Sequence, residues 1–211
     1  MLTFHAKNVK LVEMGPSRTE RDRRQDVLDA AFERFSRYGF RNTSIEDIAR
    51  TAGVSRPLVY QHFANKEAVL RELAAQLHDR ALAEAAERLS TPGQDVVTQV
   101  GCALVAKLRI PVELIGASEH HDELMETSSR LAGDIASAAL ERYDALLHKR
   151  LAAARRAGDL PRRTDGMPIT HLVRLLRESA GGIAQGALEN PDNWQARLTA
   201  LVRLILDKEQ P

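Results

Sequence analysis

The sequence predicts an all-α protein in two parts, an amino-terminal three-helix helix-turn-helix unit and a larger helical domain behind it. Three observations carry that expectation. From about residue 20 onward, apolar residues recur at spacings of three and four, the period of a helix with one buried face. No alternating run bounded by turn residues reads as a strand. Residues 43–70 carry caps and breakers that fold them into two short helices joined at a glycine, with a third opening behind.

Composition sets the limits. A chain of 211 residues, 44% of them hydrophobic, is long enough for one or two domains with sizeable cores. No apolar run approaches the ~20 residues needed to span a bilayer, and residues 1–15 lack the charged start and continuous apolar centre of a signal peptide. The expectation is a cytoplasmic protein with no membrane partner. Cys102 is the only cysteine, so one chain forms neither an internal disulfide nor a cysteine-based zinc site, and Cys102 reads as a small buried residue. A net charge of +1 does not by itself point to nucleic acid. Distribution says more: Arg18, Arg21, Arg23 and Arg24 cluster where the first helix begins, and either reach phosphates or are offset by Glu20, Asp22 and Asp26.

Residues 1–17 show no period and end in Gly15-Pro16-Ser17, a flexible leader in which Met14 offers an alternative start. A first helix runs from about residue 20 to Tyr38 on Val27, Leu28, Ala31, Phe32 and Phe35, and stops at Gly39. Phe32, Phe35, Phe40 and Phe63 are expected to form its small core. Thr43 and Ser44 stand three residues ahead of Glu46 and Asp47, the spacing of a capping box. Ile45, Ile48, Ala49 and Ala52 then give a narrow stripe that Gly53 ends. Ser55 caps the next helix, and Pro57 sits in its first turn, where a missing N–H costs little. Asn65 caps a fourth helix from Lys66 towards Thr91-Pro92-Gly93, a physical link between the two parts.

A helix from about residue 95 to Leu108 is expected to break before Pro111, restart near Val112, and stop again at His120-His121-Asp122. A long helix follows to Ala157 with Leu131, Ile135, Ala139, Tyr143, Leu147 and Leu151 on one face, and residues 159–168 form a loop. In residues 169–188 an apolar stripe contains Gly181, Gly182 and Gly186. Close packing against another helix is the simplest offset for glycines, which each cost roughly 0.5–1 kcal/mol in a helix interior. After the Asn190-Pro191 break, a last helix carries Leu198, Leu201, Val202 and Ile205.

Two short helices around a glycine describe a helix-turn-helix. With Ala49…Gly53-Val54-Ser55 at the turn, Tyr60-x-His62-Phe63 at the end of the second helix and Lys66-Glu67 opening the next, residues 24–73 resemble the DNA-binding domain of the TetR family of transcriptional repressors. The resemblance implies a DNA-binding domain over residues 18–65 and an effector-binding and dimerisation domain over residues 66–211. Carried over position by position, it implies phosphate contacts from Thr43, Ser44, Tyr60, His62 and Lys66 and base readout by Arg56 and Gln61. Pro57 and Leu58 complete that surface, with Leu58 against a thymine methyl group or packed inward. Glu46 and Asp47 depart from many relatives by placing negative charge in the second helix. Pairing of the last two helices across a two-fold axis, through Leu172, Leu176, Ile183, Leu188, Leu198, Leu201 and Ile205, would make a homodimer on palindromic double-stranded DNA; an intrachain pair is the alternative.

The resemblance further implies a small-molecule effector, and no motif names it. Residues 66–211 contain only Tyr143 and Trp194 as aromatics, so a cavity of aliphatic side chains suited to an aliphatic or acyl ligand is expected. Arg109, Glu113 and His121 near the helix breaks, with Tyr143, are the candidates for its polar contacts. His120, His121, His148 and His171 are too irregularly spaced for a metal site, and no cofactor motif, nucleophile elbow or phosphate loop points to an enzyme. The competing reading keeps DNA binding without a small-molecule effector, under a protein partner or in an architectural role.

Overall fold

As a computed structural model, the protein is described over residues 20–116, 118–189 and 192–208. Residues 1–17 with Met14, Arg18, and the Asn190-Pro191 break lie outside the described residues. The helices are α1 (Glu20–Tyr38), α2 (Ile45–Ala52), α3 (Arg56–His62), α4 (Lys66–Leu89), α5 (Val96–Arg109), α6 (His121–Ala157), α7 (Ile169–Glu189) and α8 (Trp194–Leu206). No strand occurs among the described residues.

Local chemistry places the first four. Ser44 caps α2 by accepting from the Asp47 amide while the Asp47 carboxylate accepts from the Ser44 amide at 3.0 Å, and Gly53 ends α2 at φ 66°. Ser55 and Asn65 cap α3 and α4 by accepting from the Leu58 and Ala68 amides, without the reciprocal bond. Val27, Leu28, Phe35, Ile48, Val59 and Phe63 bury themselves between α1, α2 and α3. Val69, Leu70 and Leu73 of α4 and Leu124 of α6 join that same core, so both helices reach beneath the amino-terminal unit.

A second core lies farther along the chain. The lower half of α4, α5, α6, α7 and α8 enclose Leu104, Tyr143, Leu147, Leu151, Leu172, Leu176 and Leu198. Arg71 with Asp134 and Arg142 with Asp79 lock α4 to α6 side by side. α6 bends once, at Ala132 (φ −134°, ψ 18°). Residues 159–168 are pinned rather than loose: Arg155 donates to the Met167 and Thr164 carbonyls at 2.6 and 3.0 Å, around a 3₁₀ turn at Arg162–Thr164.

Several expectations are corrected. The chain does not break before Pro111; α5 passes directly into a π-helical segment, Ile110–Ile115. A wider turn absorbs the N–H that proline lacks without ending the helical path. Cys102 is half-buried rather than buried. Leu172, Leu176 and Leu198, expected at a dimer axis, are fully buried inside this single chain. Ile183, Leu201 and Ile205 pack partly against the same core. Leu188 lies beside Gly116, its Cδ2 2.9 Å from where a Cβ there would stand. The outward faces instead carry Leu175 and Leu204, 41% and 61% exposed. Gly181 and Gly182 are also exposed, and among the described residues nothing outside their own helical turn lies within 4 Å of a Cβ built on either, so none of the described helices packs on them.

Candidate DNA-binding surface and effector cavity

Val59 is the buried anchor of α3, and that fixes which side chains face out. Arg56, Pro57, Tyr60 and Gln61 are exposed together. The Arg56 guanidinium lies 5.5 Å from the centre of the Tyr60 ring and donates to its hydroxyl at 3.3 Å, a pairing that holds both ends of the surface in register. This bond, then the Glu46 carboxylate more weakly, holds the Arg56 pKa above the ordinary arginine value. Leu58 is half-buried, and His62 turns a buried, unpartnered Nε2 inward beside Phe63. Ser44 stays exposed at the start of α2, its hydroxyl 2.6 Å from the Asp47 carboxylate. Hydrogen bonds from the Ser44 side chain and amide, then the charges of Arg34 and Arg50, hold the Asp47 carboxyl below its usual range.

Thr43 and Lys66 do something other than expected. Thr43 is buried, and its hydroxyl donates to the Gly39 carbonyl at 2.8 Å, so its side chain does not face a phosphate. Lys66 folds under α2 and donates to the Phe40 and Thr43 carbonyls at 2.7 and 2.8 Å, which leaves one of its three donors uncommitted. Burial holds its pKa below the ordinary lysine value. Both residues brace the turn between α1 and α2, because those carbonyls lack helical partners.

Behind this surface, a cavity of about 500 Å³ lies between α4 and α6, closed by α1 and α5. Leu70, Leu73, Leu77, Leu108, Ile115 and Leu140 supply aliphatic wall, as the sequence suggests, and Phe32 and Phe35 of α1 close one end. Its polar groups are Ser36, His78, Lys107, Ser128, Ser129, Ser137 and Tyr143. Of the four residues expected there, only Tyr143 lines it. Arg109 lies two positions from Lys107 on another face of α5 and pairs with Glu84 at 2.7 Å. Glu113 accepts from Gln195 at 2.7 Å, and His121 lies at the start of α6, outside the cavity wall. Lys107 and His78 were missed, although both stand in the buried register of their helices, Lys107 after Val100, Ala103 and Leu104, His78 after Leu70 and Leu73 with Ala81 beyond. Burial lowers the pKa of each, and Lys107 lowers that of His78 further. Burial raises that of the Tyr143 phenol.

Comparison with known proteins meets this geometry. Residues 27–73 match the family profile described as bacterial regulatory proteins, tetR family. The chain is similar to the HTH-type transcriptional regulator TtgR of Pseudomonas putida, 31% identical with 67% of this chain and 70% of that protein covered. The chain belongs to the TetR family of transcriptional regulators. Among solved structures it is similar to SmeT, described as the repressor of the Stenotrophomonas maltophilia multidrug efflux pump SmeDEF, at TM-score 0.63 and 27% identity over 85% of both chains. A SmeT–triclosan complex shares the fold at TM-score 0.66 and 24% identity, covering 88% of this chain and 92% of that one. Family membership places the chain among transcriptional regulators, not enzymes.

In this TetR-family regulator the cavity and the DNA-binding unit share structure. Ser118 donates to the Ser36 carbonyl at 2.6 Å, and Glu123 of α6 accepts from the Arg41 amide at 2.6 Å. Gly39 (φ 80°) allows that approach, since a Cβ there would stand 2.5 Å from the Glu123 carboxylate. The start of α6 therefore grips the turn that Thr43 and Lys66 brace. Among the described residues, no helix is long and apolar enough to cross a membrane.

Proposed function

We propose that this regulator is a cytoplasmic homodimeric repressor that binds a palindromic operator through α3 of each copy and is released by a small, largely apolar molecule in the α4–α6 cavity. One observation carries the effector part: Phe32 and Phe35, from the helix that packs against α3, form one end of that cavity. An occupant pushes on the DNA-binding unit directly, and affinity for operator falls by the occupant's preference for the displaced state. Arg56 and Gln61 are the base readers in this reading, with Ser44 and Tyr60 on phosphates. The domain division at about residue 65, implied by the resemblance, goes with it, as does dimerisation through the outward faces of α7 and α8. SmeT, described as a repressor, supports the same direction of control.

The test is a mobility shift on DNA flanking the protein's own gene, with wild type, Arg56→Ala and Tyr60→Ala at two salt concentrations. A specific shift lost in Arg56→Ala and weakened by salt supports the reading. Equal binding to unrelated DNA by all three proteins refutes it. A specific shift that no cavity-binding molecule reverses favours a regulator without a small-molecule effector.

A further inference from the structure

The cavity has a direction and a charge. Arg71–Asp134 and Arg142–Asp79 both span 63 residues, so α4 and α6 run parallel in constant register. The end walled by Phe32, Phe35, Leu70 and Leu124 therefore lies under the DNA-binding unit. His78 stands about two helical turns past Leu70 along α4, and Lys107 and Tyr143 wall the cavity with it, away from that end. No carboxylate lines the cavity among the described residues, and Lys107 is its one formally charged side chain. The contact that Lys107 makes is with the face of Tyr143, its Nζ 5.1 Å from the ring centre. Asp144, the carboxylate that acts most on it, is paired with Arg177 at 3.4 Å. The Tyr143 hydroxyl is buried without a hydrogen-bond partner. Among the described residues no carboxylate is in ion-pair contact with Lys107, and an ammonium in an apolar wall whose nearest counter-charge is shared is costly unless something neutralises it more closely.

Resting on the effector reading above, we propose that the effector is an amphipathic monocarboxylic acid. Its carboxylate sits at Lys107, beside His78 and Tyr143, and its apolar body runs between α4 and α6 towards Phe32 and Phe35. The carboxylate supplies a counter-charge in direct contact, which Asp144 does not, and the tail fills the aliphatic walls. Reach then matters: a short acid occupies the far end, whereas a longer one presses on α1.

Isothermal titration of the full-length protein with decanoate, decanol and decyltrimethylammonium tests the proposal, with Lys107→Met as the variant and its thermal melt as the check on folding. Decanoate is expected to bind wild type about tenfold more tightly than decanol, the margin of a charge-assisted contact, and decyltrimethylammonium weakest. Lys107→Met should erase the preference for decanoate while leaving decanol affinity within about twofold, since the alcohol does not need the charge. Equal affinity for acid and alcohol in wild type, tighter binding of the cation, or an unchanged decanoate preference in Lys107→Met overturns the acid and leaves the cavity as an effector site of other chemistry. Binding of none of the probes also overturns the acid. Because titration needs no operator, the regulator reading is judged separately by its DNA shift.

Discussion

Lys66 shows how much a single side chain holds here, because its ammonium ties α4 to two carbonyls of the α1–α2 turn. Lys66→Met leaves both carbonyls without that partner and is expected to lower stability by about 2 kcal/mol in urea denaturation; an unchanged midpoint would mean that water replaces the lysine freely. Asp134 gives a second prediction. Hydrogen bonding from Arg71 depresses its carboxyl from 3.8 to about 2. A depressed carboxyl contributes stability that is present above its unfolded pKa and lost as pH falls through its folded one. The stability difference between wild type and Asp134→Asn should therefore hold above pH 3.8 and fade towards about 2, measured by urea denaturation across that range. Caps such as Ser44, Ser55 and Asn65 were legible in the sequence because their partners lie three residues away. Lys66 was not, because the carbonyls it binds lie 26 and 23 residues back and only the folded chain brings them near; the Thr43 bond spans four residues, but a capping position does not reveal that its hydroxyl turns inward.

At the scale of elements, the junction of α1 with α6 joins the cavity wall to the DNA-binding unit. Gly39 and Gly53 are both left-handed helix ends, at φ 80° and 66°, but only Gly39 faces a neighbour. Gly53→Ala is expected to cost about 1 kcal/mol, the left-handed strain alone. Gly39→Ala adds a clash with Glu123 and should cost clearly more in thermal unfolding; equal losses would show that α6 gives way there without resistance. Ala132 and Gly133, at the bend of α6, also wall the cavity. Arg71 donates to the Leu131 carbonyl and to Asp134, holding both sides of that bend. Helix existence and caps follow from local pattern, and these elements were expected from it. The identity of the cavity's polar wall did not follow from helix breaks: Arg109, the last residue of α5, pairs with Glu84 of α4, and Glu113, in the π-helical turn that replaces the break, accepts from Gln195 of α8.

For the whole molecule, the apolar stripes of α7 and α8 were visible in the sequence, but not what they cover. Periodicity marks a face as buried without naming its partner, and Leu172, Leu176 and Leu198 turned out to serve the chain's own core. The proposed dimer face is the outward one, with Leu175, Gly181, Gly182 and Leu204. Leu204→Glu is expected to shift sedimentation to monomer while the fold survives, and Leu198→Ala to cost about 2–5 kcal/mol of stability with the interface residues intact. A Leu204→Glu protein that stays dimeric would move the interface elsewhere. The most direct measurement of the central proposal is selection of bound fragments from genomic DNA by the full-length protein, followed by affinity on the selected site across salt concentrations. The expected result is a palindromic site whose affinity falls steeply with salt and is lost in Arg56→Ala; no enriched site, or binding indifferent to salt and to Arg56, would contradict operator binding through α3.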